Sequence, residues 1–327
     1  MQYTQLGRSG LKVSRLCLGT MNFGPETTKE DAFRIMDAAL DHGVNFFDTA
    51  DVYGWKQGEG ITEQIIGEWF QLGGNRRERV VIATKLYNPM GKDELKDWPN
   101  TARYSAYYIR RACEASLQRL KTDVIDLYQF HHIARECPWD EVWEAMSVLV
   151  QQGKITYVGS SNFAGWNIAQ ANEAAKRAGT MGLISEQSKY SLLQREIEME
   201  VAPAAQAYGV GIIPWSPLGG GVLGGVIKNQ EGQRRYGDWT KTLLETKRDA
   251  FVAWEDFCEA KGVAPGDAAL AWTLTRPFVS APIIGPRTMA QLEGAVKALE
   301  ITFSDEELAK IDEIFPGFKT SPEHYAW

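Results

Sequence analysis

The chain has 327 residues, 44% of them hydrophobic and 24% charged, with a formal charge of −7. This composition suits a globular protein with an ample core and excludes disordered, collagen-like and disulfide-scaffold classes. The acidic balance argues against a general nucleic-acid binder, which needs a basic face, yet it permits a local cationic pocket.

The stretch Met1 to Ser14, with Gly7 and Gly10, reads as a small hairpin plugging the floor of a barrel. From there, short apolar runs of strand length alternate with longer runs of helical period. Arg15 to Leu18 precedes a predicted helix from Thr28 to His42, and Val44 to Phe47 precedes Ile61 to Gln71. Val80 to Ala83 precedes Ser105 to Leu120, and Val124 to Phe130 precedes Trp139 to Gln152. Ile155 to Val158 precedes Ala164 to Ala178, and Gly182 to Ser185 precedes Ile197 to Tyr208. Gly211 to Pro214 is followed by two helical stretches, Lys247 to Lys261 and Pro265 to Arg276. Ser280 to Ile284 precedes Met289 to Leu299, and Ser304-x-x-Glu307 reads as a capping box opening a last helix. Strands alternating with helices call for a parallel sheet. Eight such units without a linker predict one (β/α)8 barrel domain over residues 1–327. A doubly wound open sheet in two domains is the competing arrangement.

Cys17, Cys113, Cys137 and Cys258 form no C-x-x-C pair and stand at no zinc-ligand spacing, so they read as reduced thiols and no metal is expected. The start Met1-Gln2-Tyr3-Thr4 shows no signal peptide, and no apolar run approaches the roughly 20 residues of a membrane helix. A cytoplasmic protein without membrane or nucleic-acid partners is expected, its oligomeric state open.

In a (β/α)8 barrel the chemistry sits at the C-terminal strand ends. Past the predicted strands lie, in turn, Gly19, Thr20 and Met21; Asp48, Thr49 and Tyr53; Lys85; His131 and His132. Ser161 and Asn162, Glu186 and Gln187, Trp215, and Gly285 and Arg287 follow from the later strands. A free tyrosine, with a pKa of about 10, is a poor acid at neutral pH. A lysine cation about 4 Å away, at an effective dielectric near 20, favours the phenolate by about 4 kcal/mol, or roughly three pKa units. Asp48 would cancel part of this while fixing the ammonium. Tyr53 could then give a proton to a carbonyl oxygen, with His131 orienting that oxygen. These groups supply no reductant, and neither a metal set nor a G-x-S-x-G elbow is present. An organic cofactor is therefore expected, with Ser161, Asn162 and Gln187 on a carboxamide, Trp215 on a flat ring and Arg287 on a phosphate. Gly219 to Gly224 matches G-x-G-x-x-G but lacks the Rossmann context and reads as a loop over a pyrophosphate. Arg76-Arg77-Glu78-Arg79 reads as a solvated turn.

Taken together, Asn45 to Gly54, Ala83-Thr84-Lys85, Asp126 to His131, Val158 to Phe163, Glu186-Gln187 and Pro214 to Leu218 resemble the aldo-keto reductase family, in order and over nearly the whole chain. The resemblance implies a (β/α)8 barrel and a catalytic tetrad of Asp48, Tyr53, Lys85 and His131. It implies hydride transfer from NADPH to an aldehyde or ketone, with Tyr53 as proton donor. Cofactor contacts are implied at Gly19, Thr20, Met21, Asp48, Ser161, Asn162, Gln187 and Trp215. Ser216, Pro217, Leu218 and Gly219 would run along the pyrophosphate. Ile284 to Leu292 resembles the bacterial and potassium-channel beta-subunit branch, which puts Gly285, Arg287 and Gln291 on cofactor positions. Many members carry Glu-Asn for adenine where this chain has Gly294-Ala295. A keto-sugar substrate and, alternatively, a nicotinamide-binding regulatory subunit are further expectations from that branch. Absence of Asp and Glu between Ser280 and Gln291 favours NADPH over NADH. Phe23, Trp55, Tyr87, Trp98, Trp239, Tyr325 and Trp327 are expected as aromatic walls around the substrate.

Overall fold

The computed structural model describes residues 1–54, 59–90, 97–228 and 238–326. It opens on an antiparallel hairpin, β1 (Tyr3–Gln5) and β2 (Lys12–Ser14). Gly7 turns this hairpin with φ of +55°, and a Cβ there would stand 2.3 Å from the Ile184 carbonyl oxygen. Only glycine lets the turn press this closely. Leu6 and Val13 thereby reach the buried layer of Cys17, Phe46, Ala83, Leu127, Ile213 and Ala281, which fills the barrel floor as the sequence predicts.

The barrel strands are β3 (Cys17–Gly19), β4 (Phe46–Asp48), β5 (Val81–Leu86) and β6 (Ile125–Phe130). They continue as β7 (Ile155–Ser161), β8 (Leu183–Gln187), β9 (Gly211–Ile212) and β10 (Ile283–Ile284). All eight pair parallel in chain order, and β10 returns beside β3. Between β9 and β10 the ring closes through Ile212 N–H to the Phe278 oxygen at 3.0 Å and Ser280 N–H to the Ile212 oxygen at 2.8 Å. Ile283 N–H adds a bond to the Pro214 oxygen at 2.8 Å. The architecture is a (β/α)8 barrel, and among the described residues no open doubly wound sheet forms.

Helices α1 (Lys29–Asp41), α2 (Ile61–Phe70), α3 (Ala106–Leu120), α4 (Trp139–Gln151) and α5 (Gly165–Arg177) follow the first five barrel strands. Then come α6 (Val201–Ala207), α7 (Asp238–Lys261), α8 (Pro265–Leu274), α9 (Met289–Lys297), α10 (Asp305–Ile314) and α11 (Glu323–Ala326). Thr28, Ser105 and Thr288 cap their helices, and Ser304 with Glu307 forms the expected capping box. Strands β5 and β7 run three residues past their expected ends, to Leu86 and Ser161, and β10 starts three residues late, at Ile283. Two helix starts differ by more than one residue. Helix α7 starts at Asp238, with a break at Lys247, so the predicted stretch is its second piece. Helix α6 starts at Val201 because Arg195 and Tyr190 hold Glu198 in a preceding 3₁₀ turn.

The basic run at 76–79 is not a merely solvated turn. Arg77 pairs with Asp126 at 3.0 Å and donates to the Val80 and Val124 carbonyls, while Arg76 holds Asp37 at 2.9 Å. These bonds tie down the carbonyls that lead into β5 and β6 beneath the barrel.

Side chains alternate along a strand, so an apolar residue in the barrel floor is followed two positions later by one nearer the mouth. Phe46, Ala83 and Leu127 lie in the floor layer. Asp48, Lys85 and Gln129 stand two residues further on and are buried together. This parity brings polar groups to one level at the C-terminal strand ends.

Candidate active site

Lys85 has no exposed surface, and its ammonium is the centre of the polar layer. Nζ donates to Asp48 Oδ1 at 2.6 Å, to the Thr49 carbonyl at 2.8 Å and to the Tyr53 hydroxyl oxygen at 3.1 Å. The loop after β4 delivers Tyr53, whose carbonyl accepts from Thr62 N–H at the start of α2. Because the ammonium donates to the phenol oxygen, the phenolic proton is left to point elsewhere.

The electrostatics correct one expectation. Burial raises the Tyr53 pKa above its ordinary value, Lys85 pulls it back, and Asp48 pushes it up again. Burial therefore outweighs the lysine, and the phenol holds its proton more tightly than a free tyrosine. Burial works to depress Lys85, but the Asp48 and Tyr53 partners outweigh it and leave its pKa raised. His131 meets Tyr53 edge to face, with ring centres 5.8 Å apart, and stacks on His132 at 4.7 Å. Burial, with Lys85 and His132 adding, pushes the His131 pKa down to about 2. Its ring is neutral, and Nδ1 has no partner among the described residues.

The expected cofactor contacts on β7 and β8 join the same network. Gln187 donates to Asp48 Oδ2 at 2.8 Å, and Ser161 Oγ donates to the Gln187 carbonyl at 2.8 Å. Asn162 adopts φ of +61°, donates to the His131 carbonyl at 3.0 Å and accepts from Trp215 Nε1 at 3.1 Å. Thr20 Oγ1 donates to the Asp48 carbonyl at 2.9 Å. Beyond Trp215, Ser216 and Gly219 both have positive φ and Gly220 and Gly221 continue so, giving an irregular glycine turn beside Pro217 and Leu218. Met21 is exposed beside this mouth, whereas a Cβ at Gly19 would meet Ile283 at 2.4 Å, so Gly19 serves strand packing.

The arginine expected on a phosphate already has partners. Arg287 Nη1 pairs with Glu26 at 3.0 Å, and its backbone N–H donates to Gln291 Oε1 at 2.7 Å. Glu26 comes from the loop after β3, so inspection of residues 280–291 alone could not find this carboxylate. Gly285 is exposed, its carbonyl held by Asn22 at 3.1 Å, and Gly294 lies against the Asp267 carboxylate. Among the aromatics, Phe23 is core and does not line the mouth. Tyr87 packs on His132 and Tyr104, while Trp98, Trp239 and Tyr325 are exposed. Trp55 and Trp327 lie outside the described residues.

Gln129 escapes the sequence reading, and Glu186, noted there only among the polar residues past a strand, is a brace. Gln129 donates to Asp48 Oδ2 at 3.0 Å, and its register opposite Lys85 is the signal that places it in this layer. Glu186 accepts from Ser160 Oγ, from Ser188 Oγ at 2.8 Å and from Phe163 N–H at 3.1 Å, so it braces the segment that carries Ser161 and Asn162. Burial raises its pKa to about 7, against those hydrogen bonds.

The model of the Aldo/keto reductase family matches residues 15–315. The chain belongs to the aldo/keto reductase family. An oxidoreductase of Bacillus subtilis (strain 168), YrpG, is 52% identical across 100% of both chains. Norsolorinic acid reductase of Emericella nidulans is 35% identical, over 94% of this chain and 80% of its own. Versiconal hemiacetal acetate reductase of Aspergillus parasiticus is 32% identical, over 96% of each. This aldo/keto reductase is therefore an oxidoreductase. Among its described residues no helix is long and apolar enough to cross a membrane.

Proposed function

We propose that the protein reduces an aldehyde or ketone to an alcohol with NADPH, using Tyr53 as the proton donor. The observation that carries this is the Lys85 ammonium placed 3.1 Å from the Tyr53 hydroxyl and 2.6 Å from Asp48. The residues fit a nicotinamide: Asn162 and Gln187 offer amide groups beside the tetrad, and the half-exposed Trp215 indole offers a flat face. When bound, the nicotinamide supplies the hydride that the side chains lack.

Each side chain then has one task. Tyr53 keeps its proton at rest, because burial holds the phenol neutral. As negative charge grows on the carbonyl oxygen, Tyr53 gives up that proton, and Lys85 stabilises the phenolate left behind. Asp48 holds the ammonium in place. Neutral His131 donates one hydrogen bond toward the carbonyl oxygen without competing as an acid. The Arg287 guanidinium uses Nη1 on Glu26 and keeps its other donors for the 2′-phosphate that distinguishes NADPH from NADH.

The two fungal relatives' names, reductases of norsolorinic acid and of versiconal hemiacetal acetate, support a carbonyl compound as substrate. Keto-sugars form the second arm of a substrate panel. Loss of NADPH absorbance across that panel tests the reading, with Tyr53→Phe as the decisive variant. General acid catalysis is worth about 10²–10⁴-fold, so kcat should fall by that factor while NADPH affinity stays near normal. A Tyr53→Phe protein that keeps most of its kcat would mean another group supplies the proton.

A further inference from the structure

We infer that Gln129 is a positioning residue for the tetrad, the fixed arm that holds Asp48 while its other amide partner serves the cofactor. The inference rests on the reductase reading above.

Asp48 is nearly fully buried, and its oxygens are divided. Oδ1 belongs to Lys85 at 2.6 Å, while Oδ2 accepts from two amides, Gln187 Nε2 at 2.8 Å and Gln129 Nε2 at 3.0 Å. The two glutamines differ in place. Gln187 ends β8 beside Ser161 and Asn162, where the proposed carboxamide contacts cluster. Gln129 lies inside β6 and has no exposed surface. Any adjustment of Gln187 toward a carboxamide loosens one of two bonds on Oδ2. Gln129 then keeps the carboxylate from rotating, and Oδ1 stays on the ammonium that contacts Tyr53.

The barrel is built to admit this side chain. Gly159 on β7 faces it, and a Cβ there would stand 3.2 Å from Gln129 Cγ and 2.3 Å from Ser185 Oγ. An alanine would crowd both at once. Gln129 Oε1 has no partner among the described residues, nor has Ser185 Oγ. A fully buried glutamine with a bare carbonyl is costly. The bond to Asp48 is what its amide gains in return.

Three variants test the inference. Gln129→Leu removes the donor at similar volume, and kcat should fall about tenfold or more, the usual weight of a hydrogen bond to a charge, while KM and NADPH affinity stay near wild type. Gln129→Glu keeps the size but donates only when protonated. Its kcat relative to wild type should therefore rise as pH falls from 8 to 5, a response that a purely packing role would not produce. Gly159→Ala, acting through crowding alone, should also lower kcat. Thermal melting and NADPH titration by tryptophan fluorescence show that each protein is folded. If Gln129→Leu is fully active while Tyr53→Phe is inactive, this inference fails alone. A pH-independent activity ratio for Gln129→Glu also overturns it. If Tyr53→Phe is itself active, the proton-donor reading fails and this inference with it.

Discussion

Lys85→Met puts the charge layer to its hardest test. The change keeps a long, flexible side chain in a site with no exposed surface, so little volume is lost. What disappears is one ammonium and its bonds to Asp48, the Thr49 carbonyl and Tyr53. Breaking a buried ion pair by deleting one partner costs about 3–5 kcal/mol, because the other charge is left uncompensated. Gln129 and Gln187 still serve Asp48 Oδ2, which places the loss at the lower end, about 3 kcal/mol. Unfolding entropy near 2.1 cal/mol/K per residue gives roughly 0.7 kcal/mol/K for 327 residues, so the melting temperature should drop by about 4 °C. The Lys85 pKa is raised in the folded protein, so its stabilisation is complete below the unfolded value and lost as pH rises through the folded one. The difference between wild type and variant should hold from neutral pH to about 10.5 and shrink above it. Scanning calorimetry from pH 7 to 11 reads this directly. Carbonyl turnover should collapse in parallel, because Lys85 is the group that lowers the Tyr53 pKa against burial. A variant that melts with wild type and turns over normally would refute the charge-coupled layer altogether.

Other consequences are open to measurement. Glu186 titrates near 7 when folded, above its ordinary 4.5, so folding takes up a proton between these values and wild type loses stability as pH rises through that window. Glu186→Gln should remove this slope, and a melting difference that does not change between pH 4.5 and 7 would argue against a buried, titrating Glu186. His131, with its pKa pushed down to about 2, should show no ring titration by NMR between pH 5 and 8, and a midpoint near 6.5 would contradict a neutral buried ring. Arg287→Ala should weaken NADPH by about 10–150-fold and spare NADH, as charge-assisted hydrogen bonds are worth about 1.5–3 kcal/mol. Glu26→Gln should do the opposite and tighten NADPH, since it releases Arg287 from its ion pair. Equal effects on both cofactors would show that Arg287 does not read the phosphate.

Local sequence carried the barrel because its signals are local. Strand-length apolar runs, helical periods and caps act within a few residues, and the Ser304–Glu307 box forms as read. The order of polar residues past each strand likewise placed Asp48, Tyr53, Lys85 and His131 at one mouth, because a (β/α)8 barrel sends every strand end there. What sequence could not settle was which groups share one another's field. The Tyr53 pKa depends on burial from several strands at once, and Lys85 considered alone gives the wrong sign. Glu26 reaches Arg287 across 261 residues of chain, and Gln129 reaches Asp48 across 81. The strand parity hints at Gln129, but no spacing points from Arg287 to Glu26. Both contacts exist only once closure of the ring has brought β6 within reach of β4 and the loop after β3 beside the end of β10.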